Sequence, residues 1–136
     1  MVPMAVTATE SVPLREEPDV VAVRRKIRDV SLKIGFNLVD QTKVVTAASE
    51  LARNTVIHGG GGSMKIEMLN GPRLGLRLTF EDQGPGIPDI DLALRDGYTS
   101  GSGLGLGLGG AKRLVNEFEI QSQVGAGTKI TITRWK

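Results

Sequence analysis

The sequence predicts an α+β fold, a two-layer α/β sandwich in which a mixed, mostly antiparallel sheet carries its helices on one face. Three observations lead there. The hydrophobic spacing is helical up to about residue 58 and alternates beyond it. Turn signals then divide the second half into hairpins, and the resulting order β-α-α-β-β-α-β-β suits helices packed on one side of a sheet. The chain has 136 residues with 40% hydrophobic and 24% charged side chains, enough for one domain with a real core.

Residues 1–9 are small and polar and read as a flexible N-terminus, leaving residues 10–136 as a single domain. Ser11-Val-Pro-Leu-Arg15 predicts a short edge strand, because Pro13 cannot donate to a central ladder. Pro18 and Asp19 open a helix with Val21, Val23, Ile27, Val30 and Ile34 as its apolar positions and Gly35 as its stop. Asp40 is the expected N-cap of a second helix, which reaches Ile57 or His58 and ends at the four glycines 59–62. A domain boundary at those glycines would leave neither half a sufficient core. Met64, Ile66 and Met68 alternate with polar neighbours, as do Leu74, Leu76, Leu78 and Phe80 after Asn70-Gly-Pro-Arg73, which predicts a β-hairpin. A turn-rich block from Gln83 to about Gly103 holds a short helix near Asp89–Leu94. A third helix spans about Leu104–Asn116, and Phe118–Val124 with Thr128–Trp135 form a second hairpin through Gly125-Ala-Gly127.

Composition excludes several function classes. There is no cysteine, hence no disulfide framework, thiolate nucleophile or cysteine zinc site. A net charge of +2 from 17 basic and 15 acidic residues, with no basic run or interleaved aromatics, gives no case for nucleic acid. No apolar run approaches the roughly 20 residues that span a bilayer, and the first residues lack the pattern of a signal peptide. The expectation is a cytoplasmic protein with no membrane partner. A homodimer stays open.

Gly101-Ser-Gly-Leu-Gly-Leu-Gly-Leu-Gly-Gly110 places glycine at alternate positions with leucines between and runs into Ala111-Lys-Arg-Leu114. Glycine reaches positive φ and lets N–H groups approach a ligand closely, and such an array entering a helix is suited to phosphate. A flexible linker would not use Leu104, Leu106 and Leu108. On the second helix, Glu50 and Asn54 stand at i, i+4, one turn apart and about 40° around the axis. An amide oxygen is a hard neutral ligand suited to Mg²⁺, and a carboxylate one turn away can accept a proton from a nucleophile. Taken alone, the pair reads more readily as a polar surface pair that solubilises the helix. Glu81-Asp-Gln-Gly-Pro-Gly-Ile-Pro88 ends a strand in a carboxylate and breaks into a stiff turn. Asp82 could accept the exocyclic N–H of adenine, with Gly84 and Gly86 leaving room for base and sugar, or it could simply initiate a turn.

Together, Glu50-Leu-Ala-Arg-Asn54, Asp82-Gln-Gly-Pro-Gly86, Gly101-Ser-Gly-Leu-Gly105 and Gly127-Thr128 stand in the order and spacing of the N, G1 and G2 boxes and final Gly-Thr of the GHKL ATPase/kinase superfamily. The chain resembles that superfamily over residues 20 to 135. Within it, Ser49-Glu-Leu-Ala-Arg-Asn54, Glu81-Asp-Gln-Gly-Pro-Gly-Ile-Pro-Asp89, Asp96-Gly-Tyr-Thr-Ser100 and the Trp135 ending are similar to the small serine-protein kinases of bacterial partner switching, the stressosome kinases. The resemblance implies the Bergerat fold and an ATP- and Mg²⁺-dependent serine/threonine kinase. Its substrates would be STAS-domain proteins, and on release it would activate a downstream phosphatase or other output protein. The alternative it implies is an anti-sigma factor that phosphorylates its own antagonist. Glu50 would be the catalytic base and Asn54 would hold Mg²⁺. Asp82 would bind the adenine amino group, with Gly84 and Gly86 beside it. Gly101, Gly103 and Gly105 would line the triphosphate, and Thr128 would support the adenine end.

Other nucleotide folds fail on detail. Gly105-Leu-Gly-Leu-Gly-Gly110 matches a dinucleotide fingerprint formally, but no strand precedes it. No Gly-Lys-Ser/Thr follows the glycines as a Walker loop requires. Between Tyr98 and Leu108 there is no Lys or Arg, so weak turnover without a protein partner is expected. His58 reads as a helix cap or lid contact, Arg53 as surface charge or a substrate-docking group, and Trp135 as a packed residue at the sheet edge.

Overall fold

In a computed structural model, which describes residues 5–95 and 107–136, β1 (Ala5–Leu14) leads into α1 (Glu17–Ile34) and α2 (Leu38–Ile57). The hairpin β2 (Gly62–Asn70) and β3 (Gly75–Asp82) follows, then the short α3 (Ile90–Ala93) and α4 (Gly107–Arg113). The second hairpin, β4 (Glu117–Gln123) and β5 (Gly127–Trp135), ends the chain. The strand order is β1-β2-β3-β5-β4 and every neighbouring pair is antiparallel, so the sheet holds no parallel component.

Both long helices are closed at their starts by a local side-chain acceptor. Asp19 Oδ2 accepts from the backbone N–H of Arg15 at 2.7 Å and of Glu16 at 3.1 Å, closing the entry to α1. These amide bonds, that of Arg15 first, hold the Asp19 carboxyl below its ordinary pKa. Gly35 ends α1 at φ 93°, a left-handed geometry in which its N–H reaches back to Ser31 and Leu32 carbonyls. The second helix begins earlier than expected: Asn37, not Asp40, is its cap, accepting from the Asp40 N–H at 2.8 Å. Asp40 lies in the first turn and pairs instead with Arg134 of β5.

The inner face of the sheet presents Met64, Ile66, Leu76, Leu78, Phe80, Ile130 and Ile132, all buried, to Val23, Ile27 and Val30 of α1 and Val44, Ala48 and Leu51 of α2. Alanines 47, 48 and 52 are fully buried and let α2 lie close to the strands. Intervening strand residues form a polar outer face, where Arg77 donates to both Glu67 carboxylate oxygens at 2.9 and 3.1 Å from the register position opposite.

Two expectations shift. β1 begins at Ala5, well before Ser11, and its ladder against β2 runs from Ala5↔Asn70 to Leu14↔Gly62, so residues 5–9 belong to the sheet. Trp135 sits on an interior strand, where its ring covers Gly75 and its Nε1–H donates to Glu117 at 2.6 Å.

Candidate functional site

The C-terminal turns of α2, the ends of β3 and β5 and the segment 85–93 enclose a cleft of about 470 Å³. That is within the range of about 300–1,000 Å³ found for small-molecule sites. Glu50, Asn54, Asp82, Gly86 and Thr128 all line it.

Helical spacing puts Glu50 and Asn54 on the cleft side of α2. Glu50 is 7% exposed, a carboxylate almost withdrawn from water. Such a charge needs partners, and it has two. Oε1 accepts from the Gly107 backbone N–H at 3.2 Å, and Oε2 stands 3.5 Å from an Arg53 guanidinium nitrogen. Gly107, at the start of α4, has φ 70°, which suits glycine and presents its N–H to the carboxylate.

Asp82 and Thr128 are direct register partners on adjacent strands, with Gly62 opposite Asp82 on the other side. Asp82 Oδ1 accepts from the Gly84 N–H at 2.9 Å, which orients the carboxylate. The side chain lies over Gly59, where a Cβ would come within 2.4 Å of Asp82 Cγ. Thr128 Oγ1 is 2.8 Å from Ser122 Oγ, which also accepts from the Ile87 N–H at 2.8 Å. One serine thus ties β4, β5 and the loop after Gly86 together. Gly86, at φ 79°, crosses so close to β4 that a Cβ would meet the Gln123 carbonyl oxygen at 2.3 Å. Ile87, Leu92, Ala93, Leu108 and Ile130 supply an apolar wall on which a flat heterocycle could stack.

The remaining expected residues fall elsewhere. Gly84 is not on the cleft wall; it packs on the Gly59 backbone, where a Cβ would stand 2.6 Å from the carbonyl oxygen. Gly101, Gly103 and Gly105 lie outside the described residues. Reasoning from sequence put Gly107 in a phosphate-suited run and not on Glu50, missed Ser122, and treated Arg53 as surface charge or a docking group although it lines the cleft beside Glu50. The i, i+3 spacing of Glu50 and Arg53 was the available signal; nothing local in the chain announces Ser122.

An antiparallel sheet, a helix offering a carboxylate and a carboxamide one turn apart, and a strand-end aspartate beside a threonine define an ATPase domain of the GHKL type. The chain belongs to the HATPase_c family, the histidine kinase-, DNA gyrase B- and HSP90-like ATPases, whose profile matches residues 39–136. It is 46% identical over 120 residues to the serine/threonine-protein kinase RsbT of Bacillus subtilis (strain 168), covering 88% of this chain and 90% of that one. It is 34% identical over 104 residues to an anti-sigma F factor of Clostridium kluyveri, covering 71% and 72%. Among solved structures, the RsbU and RsbW domains of Rv1364c from Mycobacterium tuberculosis share the fold with a TM-score of 0.64 at 24% identity, over 95% of this chain and 33% of that one. The mycobacterial sensor histidine kinase MprB shares it with a TM-score of 0.55 at 20% identity, over 94% and 97%. No described helix is long and apolar enough to cross a membrane.

Proposed function

We propose that this chain is an ATP- and Mg²⁺-dependent serine/threonine kinase of a bacterial partner-switching pathway, acting in the cytoplasm on STAS-domain proteins and, once released, on a downstream phosphatase or other output protein. One observation carries the reading: Glu50 and Asn54 share a single cleft with Asp82 and Thr128, in a chain 46% identical to a serine/threonine-protein kinase. The partner-switching kinase is favoured over the anti-sigma alternative by that likeness, which exceeds the 34% to an anti-sigma F factor and spans more of both chains.

Asp82, its first oxygen held by Gly84, accepts the amino N–H of adenine, and Thr128 on the neighbouring strand supports the same end. Gly86 keeps the loop clear of the base and sugar, and the family resemblance assigns the triphosphate to Gly101, Gly103 and Gly105. Asn54 fits a magnesium ligand, since Mg²⁺ takes only one or two protein oxygens and keeps several waters. When bound, Mg²⁺ neutralises charge on the phosphate oxygens. Glu50 accepts the proton of the incoming serine hydroxyl as the serine oxygen bonds to the γ-phosphorus. The bond from that phosphorus to the β,γ-bridging oxygen breaks, and ADP leaves.

A positioned base contributes about 10²–10⁴-fold. Glu50→Gln should therefore slow phosphate transfer from labelled ATP to a STAS-domain partner by about 100-fold or more. Transfer at the wild-type rate would remove Glu50 from the chemistry. Co-purification with a sigma factor instead of a STAS scaffold would favour the anti-sigma alternative.

A further inference from the structure

We infer that Arg53 is the positioning residue of the phosphoryl-transfer step, setting the Glu50 carboxylate for proton acceptance. The inference rests on the kinase reading above. Glu50 is nearly buried, and the two groups that hold it come from different elements. The Gly107 N–H fixes Oε1 from α4, and the Arg53 guanidinium faces Oε2 at 3.5 Å from the same helix. A carboxylate held at both oxygens cannot rotate freely about its last bond, and each oxygen keeps a lone pair for an incoming hydroxyl.

Two further facts set Arg53 apart from an ordinary i, i+3 surface pair. Its side chain is 30% exposed and lines the cleft, so it is open both to solvent and to whatever occupies the cleft. Among the described residues on the cleft wall it is the one Lys or Arg, in a cleft also lined by the carboxylates Glu50, Asp82 and Asp89. Arginine presents a rigid planar fork, whereas lysine offers a mobile point charge, so the two are not equivalent here. The sharpest rival is direct contact of Arg53 with the transferred phosphoryl group. The rivals differ in a measurable way. A residue that acts through Glu50 has nothing left to act on once the carboxylate is gone.

The experiment uses the full chain, saturating ATP and Mg²⁺, and a STAS-domain substrate, comparing wild type, Arg53→Ala, Arg53→Lys, Glu50→Gln and the Arg53→Ala/Glu50→Gln double variant. Arg53→Ala should lower kcat about 10-fold while KM for ATP stays within about twofold, and Arg53→Lys should recover part of the loss. In the Glu50→Gln background the alanine substitution should cost less than about twofold. Should Arg53→Ala unfold, Arg53→Gln keeps the chain length without the charge and reads the same outcome. An unchanged kcat in Arg53→Ala, a full 10-fold cost on top of Glu50→Gln, or a loss confined to ATP affinity overturns the inference. A wild-type protein that transfers no phosphate overturns the kinase reading, and this one with it.

Discussion

A Cβ on Gly59 would stand 2.4 Å from Asp82 Cγ and 2.5 Å from its Oδ2. Glycine at that position is therefore part of how Asp82 is held, although Gly59 carries no functional group. Gly59→Ala must push the carboxylate out of place or shift the end of α2. ATP affinity should fall about 10-fold or more, a loss of at least about 1.4 kcal/mol, measured by calorimetric titration. An unchanged affinity would mean that Asp82 does not anchor the nucleotide. The same position shows how far residue-level reading reaches. The carboxylate–carboxamide pair of α2 is visible from its spacing, because helical geometry alone brings i and i+4 together. The partnership of Asp82 with Thr128 comes from sheet register between distant segments, and only the family resemblance put both residues in one site. The Gly107 N–H on Glu50 needs α4 docked against α2, which no local pattern encodes.

Among the elements, the hairpins β2–β3 and β4–β5 were legible because strict alternation on a half-buried sheet leaves a period of two. β1 was read short for the opposite reason. Residues 5–11 are all exposed, so they bind β2 through backbone hydrogen bonds and give no hydrophobic alternation to detect. The start of α2 was misplaced because Leu38 and Val39, 75% and 60% exposed, fall outside the buried stripe and mask its first turn. Asn37 and Asp40 are both competent caps, and the choice rests on where α1 releases the chain at Gly35. From Val44 onward the stripe is clear. Leu51, fully buried in the core cluster, anchors the turn of α2 that carries Glu50. Leu51→Ala should lower unfolding stability by about 2–5 kcal/mol in denaturant titration. A loss below about 1 kcal/mol would show that this turn is not seated on the core as described.

For the molecule as a whole, the two faces of the sheet have separate tasks. The inner face builds the core and the cleft, and the outer face is polar, with the Glu67–Arg77 pair across β2 and β3. The Arg77 side-chain hydrogen bonds hold the Glu67 carboxyl below its ordinary pKa, and Glu67 raises that of Arg77 in turn. A carboxylate whose pKa is lower folded than unfolded adds stability above the unfolded value of about 4.3. That stability is lost as pH falls from there through the folded value. On acidification from pH 7 to pH 3, the wild-type melting temperature should fall further than that of Glu67→Gln. Equal falls would show that the pair contributes nothing to folding. Arg77 is 37% exposed at its side chain, so solvent screening keeps the difference modest.

The strand order also dictates when, during synthesis, the cleft can first be complete. β5 is synthesised after both of its neighbours and inserts between β3 and β4, and until then β3 is an open edge and the Thr128 side of the cleft is missing. A nascent chain without β5 has an incomplete cleft wall, and its unpaired β3 is a natural contact for a chaperone. The cleft is therefore closed in one step, when the β4–β5 hairpin docks.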